Sequence, residues 1–231
     1  MVKQFSEFEK RIGITFRDAS LLRRAFTHRS YVNEHPATAG EHNERLEFLG
    51  DAVLELAVTD ALFQKYPETN EGELTSYRAA LVNADSLAEV ATALGMEKYL
   101  LLSRGEKKSA GRARQYILAN AFEALIGAIY LDLGYAAAAG VIRRHVLPAI
   151  EEIVAKHLWR DAKSFFQERA QEQVSLTPTY EVLKEEGPDH DKHFVVGVYL
   201  NKELVASGEG PSKQIAEQRA AERALEAKAW E

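Results

Sequence analysis

From Leu118 to Leu131 the chain carries a single side chain charged at neutral pH, Glu123. A run of that length, apolar on all sides, reads as a helix buried within a domain. A lone carboxylate inside it is costly to desolvate, so it is usually neutralised, paired or bound to a metal. The remainder of the chain therefore has to wrap around this segment and bring something to Glu123.

A second segment, Asn43 to Ala57, supplies a candidate. At helical periodicity Glu44, Glu47, Asp51 and Glu55 share one narrow stripe, while Leu46, Leu49, Val53, Leu56 and Ala57 lie opposite, which predicts a two-faced helix. Like charges three and four residues apart cost about a few tenths of a kcal/mol per pair, so a cation is expected to face them. Taken alone, such a stripe is an ordinary solvated acidic face. Set against the first segment, Glu47 and Asp51 could meet Asn120 and Glu123 (i, i+3) and form an all-oxygen site, the donor type that suits Mg²⁺.

The residues carry a resemblance. NERLEFLGDA at 43–52, AFTHRSYVNE at 25–34 and FEALIGAIYLD at 122–132 are similar to bacterial ribonuclease III. DAKSFFQERAQ at 161–171 and SGEGPSKQIAEQRAA at 207–221 resemble the double-stranded-RNA-binding domain that follows the nuclease domain in that family. The resemblance spans nearly the whole chain. It implies an all-α N-terminal endonuclease domain over residues 1–156, a linker at 157–160 and a small α+β (αβββα) RNA-binding domain over 161–231.

It also implies roles. Glu47, Asp51, Glu123 and the residue at 120 would be the metal ligands, with Mg²⁺ as cofactor and Mn²⁺ able to substitute. Glu44 and Glu71 occupy family positions beside the cleavage site, although Glu71 at a helix N-terminus also has an ordinary explanation in the helix dipole. Phe48 lies near the acidic stripe and not among the other apolar side chains. In the family the matching aromatic inserts into a second subunit, which predicts a C2 homodimer with an isologous interface. The expected products are duplexes with 5′-phosphate, 3′-hydroxyl and a two-nucleotide 3′ overhang. At position 120 the family typically has aspartate, and this chain has asparagine. Asn Oδ1 can still coordinate Mg²⁺, but one negative charge is lost.

Net charge bears on the RNA reading. The total is −6, and both parts are acidic: 19 Lys and Arg against 21 Asp and Glu up to residue 159, then 10 against 14. Phosphate recognition normally shows as a basic surface, so basic patches have to be local. The densest stretch is 103–114, where Arg104, Lys107, Lys108, Arg112 and Arg114 precede the helix carrying Asn120 and Glu123. The default for such a run is a solvated loop; here its position favours phosphate contact. No cysteine is present, which excludes disulfides and thiolate metal sites. No apolar run reaches the ~18–20 residues that span a bilayer, and the expected location is cytoplasmic.

Along the chain, residues 4–12 read as a short helix, Asp18 or Ser20 as the cap of the next, and His28 as a capping or core residue. Residues 34–40 read as a loop, and Thr69 or Asn70 as a cap for a helix through Val82. Helical pattern resumes over 85–94, and one helix is expected over about 136–156. Asp161 caps the helix that opens the second part. Strands follow at 179–184, 193–200 and 204–208, and Ser212 caps a final helix whose Ala216, Ala220 and Ala224 can lie close on the sheet. Domains of this type read A-form RNA by shape. By resemblance Gln167, Glu168 and Gln171 would face one minor groove, His190 the next, and Lys213 would meet phosphates.

The function implied is a Mg²⁺-dependent endoribonuclease cutting double-stranded RNA in ribosomal and other precursors. The alternative is a double-stranded-RNA-binding protein whose cleavage is weakened or lost through Asn120. A third reading, an all-helical interaction domain with a merely solvated acidic stripe, has the signature against it.

Overall fold

A computed structural model describes residues 5–157, 159, 161–188 and 192–230. By internal contacts the chain divides into two compact units, residues 1–159 and 160–231.

The first unit is helical and is built around α7 (Arg112–Leu133). Between Ile117 and Ile129 every residue of α7 is buried except Asn120 and Glu123. Against it lies α4 (Glu44–Lys65), and the two backbones touch where each has glycine. A Cβ on Gly50 would sit 1.8 Å from the Glu123 carbonyl oxygen, and one on Gly127 would sit 2.2 Å from that of Leu46. Only residues without a side chain allow this crossing. By length and composition α7 is also the one described helix that could cross a membrane, a possibility that counting uninterrupted apolar residues misses. Its most apolar stretch is 56% buried within this unit, in the manner of a core helix.

Three faces, not two, describe α4. Leu46, Gly50, Val53, Leu54, Ala57, Val58 and Leu62 are buried. The acidic side chains flank that arc, and beyond them Phe48 (82% exposed), Leu56 (58%) and Phe63 (70%) form a second apolar stripe. Leu56 was expected inward. At 100° per residue the buried arc is centred on Gly50, because that is where α7 approaches, and Leu56 falls outside it.

Shorter helices enclose the pair: α1 (Ser6–Ile12), α2 (Ala19–Ala25), α3 (Arg29–Glu34), α5 (Glu71–Val82), α6 (Ala84–Ala93), α8 (Tyr135–His145) and α9 (Ile150–Ala155). Their caps follow the sequence. Asp18 accepts from the Ser20 N–H and Asn70 from that of Glu73, both at 2.9 Å. α3 occupies residues with no clear helical pattern, and its cap is the His28 ring, which accepts from the Ser30 N–H at 3.3 Å. The helix expected over 136–156 is broken into α8, a 3₁₀ turn at Leu147–Ala149 and α9. Pro148 has no N–H to continue the ladder, and its ring crowds the preceding turn.

The second unit orders helix α10 (Ala162–Val174), strands β1 (Thr179–Glu186), β2 (His193–Leu200) and β3 (Glu203–Gly210), and helix α11 (Lys213–Lys228). The sheet is antiparallel in the order β1-β2-β3. Asp161 caps α10 through the Ser164 N–H at 2.8 Å, and Ser212 caps α11 through that of Ile215 at 3.3 Å. The alanine face of α11 packs closely enough that a Cβ on Gly208 would lie 2.2 Å from the Ala220 nitrogen. Two strands run further than expected: β1 continues to Glu186 past an irregularity between Val182 and Lys184, and β3 spans Glu203–Gly210. Backbone pairing with β2 outweighs the charged side chains at those ends.

Candidate metal and RNA site

The crossing of α4 and α7 decides where the polar side chains go. Asn120 and Glu123, the two half-buried positions in the buried span of α7, meet the acidic flank of α4. The Asn120 side chain lies near the Glu47 carboxylate and favours its ionised form. Glu47 is nevertheless pushed above the ordinary carboxylate range, first by burial, then by the nearby Glu44 and Asp51 charges, with the Asn120 amide opposing them. Glu123 is pushed up to about 7, chiefly by burial and then by the charges of Asp51 and Glu47. Two helices thus bring Glu47, Asp51, Asn120 and Glu123 within electrostatic or hydrogen-bonding reach of one another.

All four offer oxygen donors, and repulsion with burial has raised two of the carboxylates. Both features fit a hard divalent cation. Among the described residues, no three side chains of His, Cys, Asp or Glu are already close enough to hold a metal between them. The fourth donor is the amide of Asn120, which adds no charge to the site.

The cations expected opposite the acidic stripe are present, from elements that periodicity did not single out. An Arg29 nitrogen lies 3.6 Å from Glu44, with a ring nitrogen of His42 at 3.8 Å. Arg78 reaches Glu55 at 3.0 Å. Buried Asn43 donates to the Ala25 carbonyl at 3.3 Å and fixes where α4 begins. These partners come from α3, α5 and the loop before α4, and no local spacing pairs them with the stripe.

Glu71 is not brought beside Glu44. It is exposed at the start of α5 and lines a cavity of about 410 Å³ with Thr59, Leu62, Phe63, Thr69, Leu74, Thr75 and Arg78. Phe63 lies twelve residues beyond Asp51 on α4, roughly 18 Å along the axis at the standard rise. The position expected beside the cleavage site is thus at the other end of α4 within one chain.

The basic stretch is only partly free. Arg104, Lys107, Lys108 and Arg112 are exposed. Arg114, expected at phosphate, is committed instead to Glu97 through two nitrogens at 2.9 and 3.0 Å. The loop is tied to α3: the Arg104 N–H points to both Glu34 carboxylate oxygens at 3.2 Å, and the Ser103 N–H donates to Ser30 Oγ at 3.1 Å. Ser30 Oγ in turn lies 2.8 Å from the Nδ1 of His28.

In the second unit Gln167, Glu168 and Gln171 are exposed together on α10. Lys213 is exposed at the start of α11, its ammonium 5.7 Å from the centre of the Phe194 ring. His190, expected in the second minor groove, lies outside the described residues.

Comparison with known proteins agrees with this layout. Residues 18–150 match the family model Ribonuclease-III-like, and residues 162–228 match the double-stranded RNA binding motif. Ribonuclease 3 of Geobacillus kaustophilus is 49% identical over 223 residues, covering 96% of this chain and 90% of the relative. Ribonuclease 3 of Enterococcus faecalis is 48% identical, covering 95% of each. Among solved structures, the nuclease domain of ribonuclease III from Campylobacter jejuni matches with a TM-score of 0.57 at 39% identity. That match covers 62% of this chain and 96% of the other, and the work on that domain describes a region involved in dimer formation.

Proposed function

The chain belongs to the ribonuclease III family of endoribonucleases acting on double-stranded RNA, and from that premise we propose that it processes ribosomal and other structured precursor RNAs in the cytoplasm, with Mg²⁺ held by Glu47, Asp51, Asn120 and Glu123. The observation that carries the reading is Glu123, pushed up to about 7 inside the core helix by burial and by two carboxylates from another helix. When bound, the cation supplies an activated water, charge stabilisation at the phosphoryl oxygens and help for the leaving oxygen. Asn120, beside Glu47, favours its ionised form. Without the cation Glu123 is raised to about 7, so binding the cation would displace its proton. The free cations of the 104–112 stretch and Lys213 contact phosphates, while Gln167, Glu168 and Gln171 meet a minor groove. The products are duplexes with 5′-phosphate, 3′-hydroxyl and two-nucleotide 3′ overhangs.

The same reading includes a C2 homodimer through the second apolar stripe of α4. Phe48 and Phe63 are placed symmetrically about Glu55 and Leu56, so two antiparallel copies of α4 related by a two-fold axis there would set each Phe48 against the other copy's Phe63 end. The cavity lined by Leu62, Phe63 and Leu74 would receive the ring. Glu71 would then approach the Glu44 of the opposite copy, which reconciles its place in one chain with its expected role. Each site cuts one strand.

Asparagine at position 120, one negative charge fewer at the site, favours a second reading, a double-stranded-RNA-binding protein with weakened cleavage. Incubating the protein with a long RNA duplex, with and without Mg²⁺, and sizing the products separates the two. Short duplexes appearing only with metal support the nuclease; an intact duplex that is retarded on a native gel overturns it.

A further inference from the structure

One turn before Asn120, α7 carries Tyr116, a large aromatic left 47% exposed immediately before the span Ile117 to Ile129, which is buried except at Asn120 and Glu123. At 100° per residue Arg112, Tyr116, Asn120 and Glu123 fall within an arc of about 80°. Tyr116 therefore continues the stripe whose inner members meet Glu47 and Asp51. Its hydroxyl makes no hydrogen bond to any described residue. The Arg112 guanidinium lies 5.7 Å from the ring centre and has no carboxylate partner among the described residues, whereas its neighbour Arg114 is taken by Glu97.

Resting on the nuclease reading above, we propose that Tyr116 is a substrate-contacting specificity residue, whose hydroxyl hydrogen-bonds a ribose 2′-hydroxyl next to the scissile phosphate while Arg112, stacked on its ring, holds a neighbouring phosphate. The chemistry follows from the geometry. Leaving an aromatic ring in water beside a cluster of carboxylates gains nothing for the fold, since apolar area is stabilising when buried. An RNA duplex brought to those carboxylates presents its wide, shallow minor groove, lined by 2′-hydroxyls. A phenol both donates and accepts, as a 2′-hydroxyl does. Four residues of helix separate Tyr116 from Asn120 by roughly 6 Å, close enough that the contact falls on a nucleotide beside the cleaved bond. A guanidinium resting on the ring stays oriented toward phosphate at little further entropic cost.

The test is a double-mutant cycle between protein and substrate. Full-length wild type, Tyr116→Phe and Tyr116→Ser are measured on an RNA duplex with a defined cut site and on a set of duplexes carrying one 2′-deoxynucleotide at each position around that site. Binding is read without divalent cation, and cleavage with Mg²⁺. Wild type should lose about three- to tenfold in binding at one or two positions flanking the cut, the range of one hydrogen bond. Tyr116→Phe should bind the all-ribose duplex about three- to tenfold more weakly and be insensitive to deoxy substitution at those same positions. Tyr116→Ser should also shift the distribution of cut positions, and melting of each variant without RNA checks that it is folded. Equal sensitivity of wild type and Tyr116→Phe at every position overturns the proposal. If wild type binds with this pattern but never cleaves, the nuclease reading fails and the contact stands.

Discussion

Asn120 on α7 lies beside the Glu47 carboxylate on α4 and opposes the rise in its pKa. It does so without adding a charge to the site. Replacing it by Asn120→Asp removes that amide and adds a fourth negative group. The Mg²⁺ concentration giving half-maximal cleavage should fall by about tenfold, because ligand charge sets affinity for hard cations. Stability in chelator should fall as well. A metal titration of cleavage together with melting in EDTA checks both; superimposable curves for the two proteins would show that the missing charge is immaterial.

Glu123 gives a pH dependence whose sign can be worked out. Its carboxyl is raised from 4.5 to about 7 in the folded, metal-free protein, so between those values the native state binds more protons than the unfolded chain. Stability in EDTA should therefore fall as pH rises from about 4.5 to 7 and level off above. Glu123→Gln should flatten that slope and raise Tm above pH 7, each 1 kcal/mol regained being about 2–4 °C for a chain of this size. Metal binding should show the counterpart, with affinity rising toward pH 7 and protons released below it. Calorimetry in two buffers of different ionisation enthalpy reads that release directly.

The glycine crossing should be intolerant of any side chain. Gly50→Ala places a methyl 1.8 Å from the Glu123 carbonyl oxygen, and backbone against backbone cannot swing aside. A loss of about 3 kcal/mol or more is expected in urea unfolding, the upper end of overpacking costs. Gly140→Ala is the control, since nothing lies within 4 Å of its added carbon; a similar loss there would remove the geometric explanation.

Ser30 connects His28 to the basic loop through contacts of 2.8 and 3.1 Å. Ser30→Ala frees the Ser103 amide, so its hydrogen exchange should quicken and KM for duplex RNA should rise about two- to fivefold, the range of one modest hydrogen bond, with kcat little changed. Burial lowers the pKa of His28, with the Glu106 and Glu44 charges opposing it and His42 adding to it. Its contribution to stability is therefore present above the ordinary histidine range and lost as pH falls through the lowered value. Protonation at Nδ1 would remove the acceptor that caps α3 and reverse the Ser30 contact, with Nδ1–H donating to Oγ. A KM independent of Ser30 would show that the loop is held by Glu34 alone.

Phe48→Glu should separate the homodimer into single chains while leaving Tm of the monomer close to that of wild type, since the ring is 82% exposed. Sedimentation velocity measures the first and melting at low concentration the second. A variant that remains dimeric moves the interface off α4.

The sequence by itself determined a good deal. The burial of α7 was legible because a run with one charge has nowhere else to go, and the need of its lone carboxylate for a cation because an uncompensated buried charge is costly; that Glu47 and Asp51 would be its neighbours came from the family resemblance. The caps Asp18, Asn70, Asp161 and Ser212 were legible because a helix end is satisfied by a side chain a few residues away. The tertiary structure alone decided the rest. Leu56 faces outward because α7 approaches α4 at Gly50, and a helix wheel carries no record of where a neighbour will touch. Arg29 and Arg78 balance the acidic stripe, and Arg114 is drawn to Glu97, because Coulomb attraction acts through space and is blind to separation along the chain. Glu71 lies at the far end of α4 from Glu44 for the same kind of reason: periodicity repeats over a few residues, whereas the spacing between two sites on one helix is set by its whole length and by what packs against each end.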